Sequence, residues 1–78
     1  MKYSELKKVE QFARQNGSRT STAHPKWDLW AESWIAKGEQ TITTSIDNYH
    51  HARKVIKSCG MKCTSAIAGG NCVTIFFE

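Results

Sequence analysis

The sequence predicts an α+β domain, with two N-terminal helices followed by a β-α-β-β segment and a largely antiparallel three-stranded sheet that ends in a hairpin. Apolar residues recur at helical spacing in three segments, and a short β-branched run lies between the second and third of them. Two β-rich runs also flank a Gly-Gly pair near the end of the chain. A winged-helix arrangement is the alternative, and the two differ in whether residues 40–44 pair with the hairpin.

The chain has 78 residues, so we expect residues 1–78 to form a single small globular domain. Hydrophobic residues make up 40% of it, which excludes a disordered chain. No apolar run approaches the ~20 residues of a membrane span, and the first residues contain no apolar signal segment. The three cysteines are an odd number, which argues against a disulfide scaffold. We therefore expect reduced thiols, a cytoplasmic location and no contact with membranes.

The first helix is predicted from Ser4 to Asn16, where four apolar residues recur at steps of three and four. Ser4 suits its N-cap and Gly17 suits the position after its end. The polar residues 18–24 then predict a loop, the most mobile segment of the chain. The second helix is predicted over residues 25–37, opening with a proline at its first position. Its apolar stripe consists of Trp27, Trp30, Ala31, Trp34 and Ile35.

The third helix is predicted over residues 46–59, after a β-branched strand at residues 40–44. Gly60 is the natural residue just beyond its end. Met61 would then pack on Ile56, the hydrophobic contact of a Schellman motif. These assignments set the third helix between the strand and the hairpin.

The C-terminal hairpin is predicted from two runs, residues 62–68 and 71–77, with Gly69-Gly70 as a two-residue turn. This register pairs Ala66 with Val73. It places Ala66, Ala68, Val73, Ile75 and Phe77 on one sheet face, and Cys63, Ile67, Cys72 and Phe76 on the other. Because both faces carry apolar side chains, we expect helices to cover one face, and a remaining helix or a second chain to cover part of the other.

The net charge of +4 is unevenly distributed and favours an anionic partner. The balance is +4 over residues 1–26, −3 over residues 27–48 and +3 over residues 49–78. Side chains spaced by three and four form a basic face on the third helix, which predicts a non-catalytic module that contacts nucleic-acid phosphates. The predicted contacts are His50, Arg53, Lys54 and Lys57, joined by Lys7, Lys8, Arg14 and Arg19. An ordinary solvated helix face is the alternative.

A second hypothesis is a small inhibitor or adaptor that binds a host protein, a role typical of tiny phage or mobile-element accessory proteins. This is an analogy that rests on the small size and the tryptophan-rich composition of the chain, not on a motif. The stripe of three tryptophans either fills the core or leaves an anchor exposed for a partner. The predicted protein-binding set is Trp27, Trp30, Trp34, Asp28, Glu32 and Phe76. An exposed aromatic side chain beside acidic residues would favour a protein partner, and a continuous positive face would favour nucleic acid.

A homodimer is also expected through the C-terminal strand, if residues 71–77 lie at the sheet edge, because that strand has no proline and no charge before Glu78. A monomer results instead if the first helix covers the adjoining face. We expect no cofactor, no metal site and no catalytic centre. In the predicted register Cys63 and Cys72 lie ~13 Å apart along the strands, which is too far for a shared zinc ion. His51 and Cys59 lie about 12 Å apart along a helix, too far for a nucleophile–base pair.

Overall fold

The computed structural model describes residues 2–19 and 24–78 of the chain. Its elements are, in chain order, β1 (Lys2–Tyr3), α1 (Leu6–Gln15), α2 (Pro25–Ala36), β2 (Thr41–Ser45), a 3₁₀ turn (Ile46–Asn48), α3 (Tyr49–Ser58), β3 (Cys63–Gly69) and β4 (Cys72–Phe77). The predicted α+β class is confirmed, with two helices ahead of a β-α-β-β segment and a C-terminal hairpin. Part of the predicted loop, residues 20–23, lies outside the described residues.

The strands of the described residues form one antiparallel sheet in the order β1-β3-β4-β2. β2 pairs with β4 from Thr41 opposite Phe76 to Ser45 opposite Cys72. A strand at this position pairing with the hairpin separates the observed fold from the winged-helix alternative. The edge strand β1 adds to the predicted sheet, and two residues are too few to show an alternating pattern in the sequence.

The predicted register of the hairpin is wrong by two residues. Gly69 pairs with Cys72, so the turn is Gly70-Asn71 rather than Gly69-Gly70, and Ala66 faces Ile75. Gly70 has φ +61° and Asn71 has no positive φ, which fits a type II′ turn, where the first central residue is glycine. A shift of two residues keeps every side chain on its face. The predicted inner face is therefore buried as expected: Ala66, Ala68, Val73, Ile75 and Phe77.

Cys63 is an exception, because an irregularity in the pairing separates it from Ser65. A β-bulge adds one residue to one strand and so reverses the side on which the next residues point. Cys63 consequently lies opposite Phe77 and packs against the core, instead of on the outer face that the regular pattern predicts. This places its thiol beside α3.

α1 and α3 contact the inner face of the sheet, and α2 packs against α3. The small side chains of Ala66 and Ala68 allow α1 and α3 to approach β3 closely. Among residues 2–19 and 24–78, no helix covers the outer face of the sheet, so the expected second cover is not found there. That face instead carries the exposed Ile67 and a hydrogen bond between the hydroxyls of Thr43 and Thr74, 2.9 Å apart.

The predicted dimer requires the C-terminal strand to lie at the edge of the sheet, and β4 does not lie there. β4 lies in the sheet interior, between β3 and β2, and both neighbours pair with its backbone. Phe76 is half-buried on the outer face, opposite Thr41 and Ser65. Within the described sheet the edge strands are β1 and β2, so the C-terminal strand offers no free edge to a second copy.

The C-terminal end of α3 matches the prediction, whereas the N-terminal end of α1 does not. Gly60 has φ +80°, and its N–H donates to the carbonyl of Lys57 at 3.0 Å. The Met61 N–H donates to Ile56 at 3.2 Å, which completes the predicted Schellman motif. At the other end of the chain, Glu5 rather than Ser4 is the N-cap of α1, and no side chain caps that helix.

Candidate functional site

A basic groove of about 820 Å³ runs between α1, α3 and the start of β3. Four cationic side chains face one carboxylate along it, a local balance of +3. These four cationic residues are every Lys and Arg of the sequence after position 48. The lining residues are Glu10, His50, Arg53, Lys54, Lys57, Met61, Lys62 and Cys63.

The predicted basic face of α3 forms one wall of this groove. Arg53 lies beside Tyr49, with its Nη1 donating to the phenolic oxygen at 3.4 Å and its guanidinium carbon 5.8 Å from the ring centroid. Burial raises the pKa of Tyr49, so the phenol stays neutral and does not cancel the charge of Arg53. Lys54 and Lys57 are exposed one turn apart. Arg53 is thus held in place, whereas the two lysines extend into solvent.

The opposite wall was missed by sequence reasoning. The Schellman motif at Gly60 turns the chain back beside α3, which places Met61, Lys62 and Cys63 in the groove. Lys62 is fixed by two backbone hydrogen bonds with Glu78, 2.8 and 2.9 Å long. The Schellman motif predicted at the end of α3 could have indicated this wall, because such a motif reverses the chain next to the last helical turn.

His50 lies at the inner end of the groove and is buried, with 7% of its side chain exposed. The Ser18 hydroxyl accepts the His50 backbone N–H at 3.0 Å and lies 2.6 Å from His50 Nδ1. The Glu10 carboxylate lies 3.7 Å from Nε2 and also accepts from Arg14 at 3.2 Å. Burial lowers the pKa of His50, so the ring is neutral at neutral pH.

The remaining predicted nucleic-acid contacts do not line the groove. Lys7 and Arg14 share a helical face of α1 with Glu10, about 60° and 40° from it, whereas Lys8 points about 160° away. Lys8 pairs instead with Glu5, 4.0 Å apart on the exposed surface. Arg19 donates to the Ser18 carbonyl at 3.3 Å and so lies near the inner end.

The predicted protein-binding residues occupy two separate places. Trp27 and Trp34 are half-buried against the core, and Trp34 Nε1 donates to the Thr41 carbonyl at 2.6 Å. Trp30 is 47% exposed and stacks on Trp34, and the neighbouring Leu29 is 70% exposed. The tryptophan stripe is therefore only partly core, and α2 presents an apolar surface. Phe76 lies on the outer sheet face instead.

Asp28 and Glu32 do not act as a free acidic pair. The Asp28 carboxylate hydrogen-bonds to Nε2 of the buried His51, and this contact joins α2 to α3. Rings of His24 and Trp27 meet the His51 ring edge-on, with centroids 5.2 and 5.9 Å away. Glu32 remains exposed on α2. Asp28 and His51 are 23 residues apart in the sequence, and no local pattern predicted their contact.

No protein-family model, curated protein or solved structure matches the chain. The geometry of its own residues therefore carries the functional argument. In the part of the chain that the structure describes, no helix is long and apolar enough to cross a bilayer.

The series Ser18, His50 and Glu10 has the residue types of a hydrolytic triad but not its geometry. Ser18 is 1% exposed, and its hydroxyl is already engaged by the backbone of α3, so no substrate reaches it. Within residues 2–19 and 24–78, no three side chains of His, Cys, Asp or Glu gather as metal ligands. The cysteines at 59, 63 and 72 are free.

Proposed function

We propose that the protein is a non-catalytic binding module that contacts nucleic acid through the basic groove. One observation carries this proposal: the Lys and Arg residues after position 48 line a single groove, although they come from α3 and from the chain leading into β3. Helical spacing groups three of these residues on α3, and the chain reversal after Gly60 adds Lys62 from outside the helix. Grouped cations with Arg among them are suited to the phosphates of a nucleic-acid backbone.

Affinity in this proposal comes from displaced counterions. Neutralising four phosphates with Arg53, Lys54, Lys57 and Lys62 gives a slope of log K against log salt of about −3.6 on duplex DNA, and a shallower slope on single strands. Removing one lysine reduces the magnitude of the slope by about 0.9. The groove lining contains no Asn or Gln, the side chains that pair with adenine, so we expect no direct readout of adenine.

The test is an anisotropy titration of labelled duplex and single-stranded oligonucleotides at two salt concentrations. Lys57→Ala and Lys54→Ala are compared with Lys37→Ala and Lys26→Ala, which remove the same charge from the C-cap and the first turn of α2, outside the groove. The groove variants are expected to weaken binding several-fold and flatten the salt slope, while the α2 variants leave both near wild type. Equal losses in the two sets would reject the groove as the contact surface, and no binding at low salt would reject the function.

A second candidate function is a small inhibitor or adaptor that binds a host protein. The exposed Leu29 and Trp30 on α2 favour it, since tryptophan is enriched among the residues that dominate binding energy. The discriminating variants are Trp30→Ser and Lys57→Ala. A host protein that is retained by wild type and Lys57→Ala but lost by Trp30→Ser supports this function, and retention by all three rejects α2 as its contact. A cytoplasmic location remains a prediction in both cases.

A further inference from the structure

The inner end of the groove contains a buried polar atom without a partner. His50 Nε2 has no hydrogen-bond partner among the described residues, although its ring is more than nine-tenths buried. A buried donor left in this state costs about 1–3 kcal/mol, so such atoms are rare in folded proteins. His50 itself is one of the residues that line the groove, together with four cationic side chains.

The hydrogen bonds of Ser18 favour the His50 tautomer in which Nε2 is a donor. The Ser18 oxygen accepts the His50 backbone N–H, and Nδ1 is the acceptor that the described residues offer to its buried hydroxyl hydrogen. Nδ1 is then an acceptor, and the neutral ring has its proton on Nε2. His50, a residue of the groove lining, therefore has a buried N–H group without an acceptor. The nearest anionic oxygen is that of Glu10, at 3.7 Å, which is beyond hydrogen-bonding distance.

We propose that the inner end of the groove is a subsite for one phosphate group, in which a phosphate oxygen accepts the His50 Nε2–H and the Arg53 guanidinium binds a second oxygen. This inference rests on the proposed function and specifies its ligand at one position. Glu10 Oε1 lies 3.7 Å from Nε2 and 3.2 Å from the Arg14 guanidinium, so a phosphate oxygen that binds Nε2 must displace this carboxylate toward Arg14. We favour phosphate as the ligand because its oxygens can accept from the His50 N–H and the Arg53 guanidinium at the same time.

The subsite predicts a specific effect of the Glu10 charge. Two like charges this close repel each other, so the carboxylate opposes phosphate entry. Glu10→Gln is expected to tighten binding of a phosphorylated oligonucleotide about tenfold. Glu5→Gln is the matched control, because it makes the same change at the N-cap of α1, where Glu5 pairs with Lys8 and does not line the groove. Its effect is expected to be less than about twofold, since solvent and salt screen a charge that points away.

The test uses the full chain, with titrations of inorganic phosphate and of one single-stranded oligonucleotide carrying a 5′-phosphate or a 5′-hydroxyl. Imidazole ¹⁵N–¹H spectra follow the His50 Nε2–H resonance, which is expected to shift downfield as the probe saturates. A stronger response to the 5′-phosphate identifies a terminal phosphate as the ligand, and equal responses identify the backbone phosphodiester. Both results support the subsite.

An unmoved Nε2–H resonance at saturating probe, or equal effects of Glu10→Gln and Glu5→Gln, would overturn the subsite. If Lys57→Ala still weakens oligonucleotide binding in that case, the proposed function survives without it. Conversely, wild-type protein that binds no oligonucleotide but shifts the Nε2–H resonance with inorganic phosphate retains the subsite and loses the nucleic-acid function. The two failures are therefore distinguishable.

Discussion

Ser18→Ala tests how α1 and α3 are joined at the inner end of the groove. Ser18 follows the Schellman ending of α1, where its N–H donates to the Ala13 carbonyl at 3.0 Å. Its hydroxyl then serves the first turn of α3, whose N-cap residue Asn48 makes no side-chain capping bond. One serine thus ends one helix and supplies a partner at the start of another.

The magnitude follows from the two groups that lose their partner. Alanine leaves the His50 N–H and Nδ1 buried and unpaired, and each such group costs about 1–3 kcal/mol. Relaxation and water entry recover part of this, so we expect a loss of about 2 kcal/mol. For a domain of 60–100 residues this lowers the melting temperature by roughly 8–16 °C.

The assay is urea unfolding followed by circular dichroism, with Ser33→Ala as the control. Ser33 is exposed on α2, where alanine is at least as good a helix former, so the control should stay within about 0.5 kcal/mol of wild type. The imidazole spectrum of Ser18→Ala should also lose its single His50 tautomer. Unfolding free energies of Ser18→Ala and wild type that agree within 0.5 kcal/mol would refute this account of the junction.

Three further predictions concern stability. Gly60→Ala forces a side chain into a positive φ and should cost about 1–2 kcal/mol in urea unfolding, and an unchanged midpoint contradicts the Schellman ending. Trp34→Phe loses the bond to the Thr41 carbonyl and should cost about 1 kcal/mol, whereas the exposed Trp30→Phe should be near neutral; equal costs contradict this bond. Because burial lowers the pKa of His50, the unfolded chain binds the proton more readily, and stability should fall as pH drops below about 6.5. His50→Gln should reduce this pH dependence, and an unchanged pH profile contradicts it.

The helices and the outline of the sheet could be predicted because their signals are local. The three-and-four spacing in α1 and α3, and the β-branched residues of β2, are visible within short windows. The hairpin register could not be fixed the same way, since Gly69-Gly70 and Gly70-Asn71 both suit a two-residue hairpin turn. The bulge that turns Cys63 inward has no sequence marker of its own.

The basic wall of the groove was predicted and the rest of the site was not. Arg53, Lys54 and Lys57 follow helical spacing, so their grouping on α3 could be read directly. The contacts of His50 with Ser18 and Glu10 join residues 32 and 40 positions apart, and only the packing of α1 against α3 brings them together. The position of Lys62 could not be predicted either, because it is the reversal of the chain after α3 that places this residue in the groove.

The central position of β4 has a consequence for synthesis of the chain. β1 and β2 are made early, but β2 pairs with β4, and β1 pairs with β3, near the far end of the sequence. No strand pair can therefore form until β3 has emerged from the ribosome, and β2 has no partner until β4 follows. Until then the inner faces of α1 and α3 have no sheet to cover, so the emerging chain passes through an interval in which they are exposed to chaperones or to other chains.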